Sequence, residues 1–298
     1  MQYDFGRESV ICGMEQLAAR WAHNPKVSRS SRLPATRRGF AIRWILFYLN
    51  REITVYIEIY NKQKSMNHLV IMAGGVGSRF WPMSRPENPK QFIDVLGVGR
   101  TLIQLTVDRF GKEFAPENIW VVTSAKYADK VKAQLPEVPS ANILLEPCMR
   151  NTAPCIAYVT WKIKQIDPEA TLVISPADHF VVDTEEFRRV INAGVKFVKG
   201  TSNILTLGMF PTRPDTGYGY IQAGEKEGQS EVCQVRAFKE KPQLEVAKQY
   251  LSEGNYYWNA GLFIWDAATA EASLREFEPE TSALFDKMSE SFGKENER

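Results

Sequence analysis

With 298 residues, 44% hydrophobic and 24% charged, the chain has the make-up of an ordinary globular protein, which excludes disordered and fibrous architectures. Its formal charge of +2 is unevenly spread: residues 1–66 carry 11 Lys/Arg against 5 Asp/Glu, and the remainder carries 26 against 30. A mildly acidic body argues against nucleic-acid binding as the main function; four cysteines without C-x-x-C spacing and three histidines argue against a structural zinc site and for a reducing cytoplasm.

The first 66 residues contain an apolar stretch, Phe40 to Tyr60, interrupted by Arg43, Arg51, Glu52 and Glu58. Its longest uncharged piece, Trp44 to Asn50, is far short of the roughly 20 residues a bilayer span requires, so no membrane association is expected. A signal peptide is poorly supported, because the apolar run starts near residue 40 and no small-residue cleavage site follows it. The Arg/Ser-rich Ser28–Phe40 has the look of an organelle transit peptide, but the simpler reading is different. Met66 stands directly before the strand-like N-H-L-V-I-M-A, so residues 1–65 are expected to be a non-native or disordered extension, with one domain over 66–298.

Short β-rich runs then recur at Leu69–Met72, Ile119–Thr123, Ile143–Leu145, Thr171–Ser175, Ile204–Leu207, Val232–Phe238 and Leu262–Trp265. Helical patterns separate most of them. One runs from Asn151 or Thr152 as cap through Pro154, with a stripe of Ile156, Val159, Ile163 and Ile166, to a stop at Pro168. Another starts at Asp183 with Glu186 three residues on, sets Phe187, Val190, Ile191, Gly194 and Phe197 on one face, and stops at Gly200. A third helical stretch follows Trp265. Alternating strands and helices predict an α/β sandwich with a largely parallel sheet, whose ligands bind beyond the carboxyl ends of the strands.

The first strand is followed by Gly74, Gly75 and Gly77, residues that let backbone N–H groups approach an anion. The loop is neither a Walker A sequence nor a dinucleotide fingerprint, which would need glycine at Phe80, and a plain turn stays open. Arg79 and Lys90 add two cations to the same rim, which points to a polyphosphate site.

G-G-x-G-x-R, then a Pro, then P-K resembles the signature of the sugar-nucleotide pyrophosphorylases, which join a sugar 1-phosphate to a nucleoside triphosphate. E-P-x-x-R-N-T-A-P, from Glu146 to Pro154, is similar to a motif of the mannose-1-phosphate guanylyltransferases in particular. The resemblance implies that Glu146, Pro147, Arg150, Asn151 and Thr152 border guanine and ribose, at a helix N-terminus that favours anions. V-I-S-P-A-D-H-F-V matches the stretch where the family carries a metal-binding aspartate, which makes Asp178 the Mg²⁺ ligand; His179 reads as a packed or outer histidine, since imidazole is a poor partner for Mg²⁺. P-D-T-G-Y-G-Y-I and F-K-E-K-P resemble stretches lying along the sugar, so Gly219 is assigned there, Glu240 to sugar hydroxyls and Lys241 to the phosphate. Y-W-N-A-G-L-F-I-W is similar to the family's W-N-[SA]-G-[ML]-F strand, with Asn259 and Gly261 at the hexose.

The five matches span Leu69 to Trp265 in the family's order. They imply a Rossmann-like nucleotidyltransferase fold, with a mixed, largely parallel central sheet flanked by helices. The implied reaction is transfer of GMP from GTP to mannose 1-phosphate in the cytoplasm, with Arg79, Lys90 and Asp178 as the catalytic residues and Mg²⁺ as cofactor. No nucleic acid or membrane partner is expected, and a homodimer is left open. Alternatives at this level are a catalytically inactive nucleotide-sugar-binding protein and a pyrophosphorylase for another hexose 1-phosphate or nucleotide. Family members continue to a W-S-D-x-G-S-W stretch supplying a second metal aspartate, whereas this chain ends at S-F-G-K-E-N-E-R. It therefore reads as a guanylyltransferase extended at the front and incomplete at the back, with little or no turnover of its own.

Overall fold

The computed structural model describes residues 10–12, 67–75, 77, 80–146, 152–228 and 231–294. Apart from a three-residue strand, the sequence readings for residues 1–66 lie outside the described residues.

Nine strands form one sheet: β1 (Val10–Cys12), β2 (Asn67–Met72), β3 (Ile119–Ser124), β4 (Ile143–Glu146), β5 (Thr171–Pro176), β6 (Ile204–Met209), β7 (Tyr220–Lys226), β8 (Cys233–Lys239) and β9 (Tyr256–Asp266). Their order is β4-β3-β2-β5-β9-β6-β1-β8-β7, with β9 also paired to β7. The sheet is mixed. Strands β4, β3, β2 and β5 are parallel to one another, whereas β9 runs antiparallel to β5, β6 and β7, and β7 antiparallel to β8.

Period-2 alternation explains the layers. Leu69, Ile71, Val121, Val173, Leu205 and Ile264 point into one core, while Val70, Trp120, Val122, Leu172, Ile174 and Trp265 point into the other. The first core is covered by α1 (Leu102–Phe110), α2 (Ala128–Gln134) and α4 (Thr184–Val198). The second is covered by α3 (Thr152–Ile166), α6 (Ala267–Phe277) and α7 (Pro279–Ser289). Helix α5 (Leu244–Glu253) packs Ala247 and Tyr250 against Tyr220 and Tyr256 in a smaller cluster. Fully buried side chains such as Ile71 and Leu172 each contribute about 1.5–3 kcal/mol through burial.

The helix boundaries follow from local chemistry. Asp183 caps α4 by accepting from the Glu186 N–H at 2.9 Å, while the Glu186 carboxylate turns to Arg189. Phe187, Val190, Ile191 and Gly194 are buried as expected, but Phe197 is only half-buried and Val198 takes the core position. In α3, Ile156, Val159 and Ile163 are buried, while Ile166 is 66% exposed because the covering layer ends one turn earlier. Cys155, Ala157, Tyr158 and Trp161 are buried as well, since α3 is pressed between the sheet and α6/α7. The helical stretch after Trp265 is two helices. Glu278 precedes Pro279, a position disfavoured for α conformation, and the chain turns there.

Among the described residues no helix is long and apolar enough to cross a membrane.

Candidate active site

The glycine loop leaves the carboxyl end of β2, and its carbonyls are held from inside. The buried Gln91 side chain donates through Nε2 to Ala73 O at 3.0 Å and to Gly75 O at 2.9 Å; Thr123 Oγ1 donates to the same Ala73 carbonyl at 2.9 Å. Gly77 has φ +64°, and a Cβ there would lie 2.6 Å from Ser84 Oγ and 2.9 Å from Lys90 Cγ. A side chain is thus opposed both by conformation and by space. Ser84 Oγ also accepts from the Lys90 N–H at 3.0 Å, so the segment after the glycines folds back onto the loop.

The folding back brings Lys90 to the end of β5. Lys90 Nζ lies 2.5 Å from Asp178 Oδ2 and 5.1 Å from the centre of the Phe80 ring, and both Lys90 and Asp178 remain partly exposed. Asp178 follows β5 by two residues, and the intervening Ala177 donates its N–H to Met72 O at 3.2 Å, so its turn is tied to β2. His179 Nε2 is 3.9 Å from Asp178 Oδ1, too far for a hydrogen bond. Burial pushes the His179 imidazole below its ordinary pKa, with Arg109 and Lys90 adding to the effect and Asp178 opposing it. His179 is therefore neutral at neutral pH.

A carboxylate that already attracts a cation at a solvent-reached rim suits a hard divalent ion shared with phosphate oxygens. Among the described residues no group of three His, Cys, Asp or Glu side chains forms a cage from protein alone.

The second cluster lies on the antiparallel strands. The Asn259 N–H donates to Gly219 O at 2.8 Å, and a Cβ on Gly219 would stand 2.9 Å from Glu240 Oε2 and 3.7 Å from Asn259 Cβ. Asn259 Oδ1 accepts from the Gly261 N–H at 2.9 Å and lies 3.5 Å from Thr206 Oγ1. These contacts hold an irregularity where the β6–β9 register shifts between Thr206 and Gly208. Gly261, at φ +66°, faces the Pro176 ring, from which a Cβ would be 3.7 Å away. The bulge in β9 therefore abuts the end of β5, two residues before Asp178. Lys241 Nζ pairs with Glu240 Oε1 at 2.7 Å, and Lys241 has φ +38° immediately before Pro242. An exposed pair of this kind contributes little stability, while left-handed backbone at a non-glycine residue costs about 1–3 kcal/mol.

On the far side of β3, Glu146 ends β4 and is buried, and burial raises its carboxyl above the ordinary range. Cys155, in the first turn of α3, is pushed up by burial and by Glu146. Thr152 is the first helical residue and is exposed, so it is not the cap. Arg79, Pro147, Arg150 and Asn151 lie outside the described residues.

The structure thus brings Gly74, Gly75, Gly77, Lys90 and Asp178 into one cluster and Gly219, Glu240, Lys241, Asn259 and Gly261 into another, joined at Gly261 and Pro176. Sequence reasoning missed Gln91, Ser84 and Thr123, which shape the loop, and Asp215, whose Oδ1 accepts from the Gly217 N–H at 2.8 Å. Gln91 had a faint signal, an amide directly after the P-K pair.

Comparison with known proteins gives a consistent result. A family model described as nucleotidyl transferase matches residues 68–296. The mannose-1-phosphate guanylyltransferase of Escherichia coli K12 is 37% identical over 219 residues, covering 71% of this chain and 45% of the relative. That of Salmonella muenchen is 38% identical over 215 residues, with the same two shares of 71% and 45%. A solved structure from Thermus thermophilus, described as a mannose-1-phosphate geranyltransferase, superposes with a TM-score of 0.69 at 30% identity, over 78% of this chain and 66% of that one. The chain spans about 45% of the length of these curated relatives.

Proposed function

Because the chain belongs to the nucleotidyl transferase family, we propose that it serves transfer of GMP from GTP to mannose 1-phosphate, yielding GDP-mannose and pyrophosphate. The observation that carries this reading is the contiguity of the glycine loop, Lys90 and Asp178: the loop closes on the Lys90 stem, and the Lys90 ammonium sits 2.5 Å from the carboxylate. A donor-rich loop, a cation and a carboxylate at adjoining strand ends suit a magnesium-bound triphosphate.

The acceptor needs little activation. A phosphate monoester has a second pKa of about 6, so mannose 1-phosphate is largely dianionic at neutral pH and requires no general base. The protein's task is to align the two phosphates and offset their charge. In this reading the loop N–H groups and Arg79 hold the β- and γ-phosphates, Lys90 the α-phosphate, and Lys241 the sugar phosphate. Glu240 and Asn259 hold hexose hydroxyls, while Glu146, Pro147, Arg150, Asn151 and Thr152 border guanine and ribose. Asp178 would hold Mg²⁺, which when bound neutralises charge on the phosphate oxygens. The buried thiol of Cys155, which forms no disulfide, suits a reducing compartment such as the cytoplasm.

The test is a binding panel on the 298-residue chain. With Mg²⁺, GTP is expected to bind at least tenfold more tightly than ATP, CTP or UTP, and mannose 1-phosphate more tightly than glucose 1-phosphate. Asp178→Asn should remove the contribution of the metal. Binding without base preference, or indifference to Asp178→Asn, would overturn the assignment.

A further inference from the structure

Arg109 occupies the last turn of α1, is 3% exposed, and lies against the rings of both Phe110 and Phe187, with its guanidinium carbon 5.5 and 5.2 Å from their centres. Among the described residues, the hydrogen bonds of its guanidinium all go to one short segment. Nη1 donates to His179 O at 3.0 Å, and Nη2 donates to Ser175 Oγ at 2.6 Å and to Pro176 O at 3.2 Å. These acceptors flank Asp178 on both sides. The guanidinium is a rigid planar fork, so gripping residues 175, 176 and 179 together leaves the intervening turn few ways to move.

Stability alone is a poor reason for this arrangement. A buried cation carries a large desolvation cost, and burial lowers the Arg109 pKa to about 10. Among the described residues no carboxylate pairs with Arg109 directly, and its Nε is buried without a partner. The acid whose charge opposes the effect of burial is Asp178. A side chain that satisfied only the carbonyls of the turn would not need a full charge.

We infer that Arg109 is a positioning residue for the metal carboxylate: it touches no substrate, and by clamping residues 175–179 it fixes where Asp178 presents its oxygens to a divalent ion. The inference rests on the assignment of Asp178 made above. Lys90 holds the exposed side of the same carboxylate, so Asp178 stands between a cation that can exchange with a metal and one that cannot.

The experiment measures the GTP dissociation constant of the full chain with saturating Mg²⁺ and with EDTA, and takes the ratio as the metal's contribution. Removal of a group that orients a metal ligand typically lowers metal affinity roughly 10- to 100-fold, so Arg109→Met should reduce the ratio by about tenfold while the EDTA value stays constant. Arg109→Lys should be intermediate, since it keeps the charge and loses the fork. In an Asp178→Asn background Arg109→Met should cause no further loss, which a general packing defect would not reproduce. Should Arg109→Met fail to fold, Ser175→Ala removes one acceptor of the clamp and is expected to lower the ratio about two- to threefold. An unchanged ratio in the folded variants, or equal weakening with and without metal, overturns the inference. A wild-type ratio that Asp178→Asn does not alter overturns the Asp178 assignment itself, and the positioning role with it.

Discussion

Strands β2, β4 and β5 end at the same edge of a parallel sheet and deliver Gly74, Glu146 and Asp178 there, each at or just past the end of its own strand. Strands β7, β8 and β9 are antiparallel, and their site residues come from different places along the strands: Gly219 just before β7, Glu240 just after β8, and Asn259 within β9. In the parallel half topology alone gathers the residues, because every strand points the same way. In the antiparallel half an irregularity is needed to aim side chains at the site, and Asn259 builds it by accepting the Gly261 N–H. One half can thus be altered residue by residue, whereas the other depends on a local backbone geometry.

This division can be broken by experiment. The largest effect is expected from Lys90→Ala. Loss of a charge-assisted contact to phosphate costs about 1.5–3 kcal/mol, so GTP affinity should fall roughly 10- to 150-fold with mannose 1-phosphate binding little changed, as titration calorimetry of each ligand would show. Equal losses for both ligands would erase the distinction between the halves.

Asn259→Ala should do the reverse on a smaller scale. Without its Oδ1 the bulge loses an internal acceptor worth about 1 kcal/mol, so sugar phosphate binding should weaken roughly fivefold while GTP binding holds. Parallel weakening of GTP would mean that the bulge also supports the turn of Asp178 across the Gly261–Pro176 contact.

Glu146→Gln separates recognition from stability within the parallel half. Burial raises the folded-state pKa of Glu146 above its unfolded value, so its favourable share of stability is complete below about pH 4 and is lost as pH rises through the folded-state value. Once ionised, the buried carboxylate is a burden that glutamine lacks. The variant should melt at a higher temperature than wild type at pH 7, the gap should close on acidification toward pH 4, and the preference for GTP over ATP should shrink. A lower melting temperature at pH 7 would show that the carboxylate has a compensating partner.

The smallest effect is expected from deleting residues 1–65. The melting temperature should shift by no more than about 2 °C and nucleotide binding should persist. A fall of more than about 5 °C would show that the pairings of β1 with β6 and β8 contribute to stability.

Much of the fold was legible because strands buried on both faces read as short apolar runs and amphipathic helices announce their caps. Asp183 and Glu186 marked the start of α4 to the residue. The failures have physical causes. Strand β7 is absent from the expected runs because its sequence carries little strand pattern of its own, and its pairing comes from β8 and β9 rather than from its own propensity. Strand β9 begins at Tyr256, six residues before the expected apolar run, since Tyr256 and Tyr257 are buried by α5 and by β7 and β8. Ile166 followed the helical stripe and still faces solvent, because periodicity does not say where the covering layer stops.

In the candidate site, chain order alone sets close together the glycines and Lys90, the residues of the Asp178 turn, the Glu240–Lys241 pair and Asn259 with Gly261. Such stretches carry their chemistry in local spacing, which survives without coordinates. Which stretches meet, and what holds them, follows from how the helices pack on the sheet. Arg109 reaches a turn 66 to 70 residues away, Gln91 spans two carbonyls 16 and 18 residues back, and Gly261 closes on Pro176. A lone arginine in the last turn of a helix or a glutamine after a Pro-Lys pair has no partner in the sequence; its hydrogen bonds come into being only when helices pack on the sheet and bring distant strand ends together.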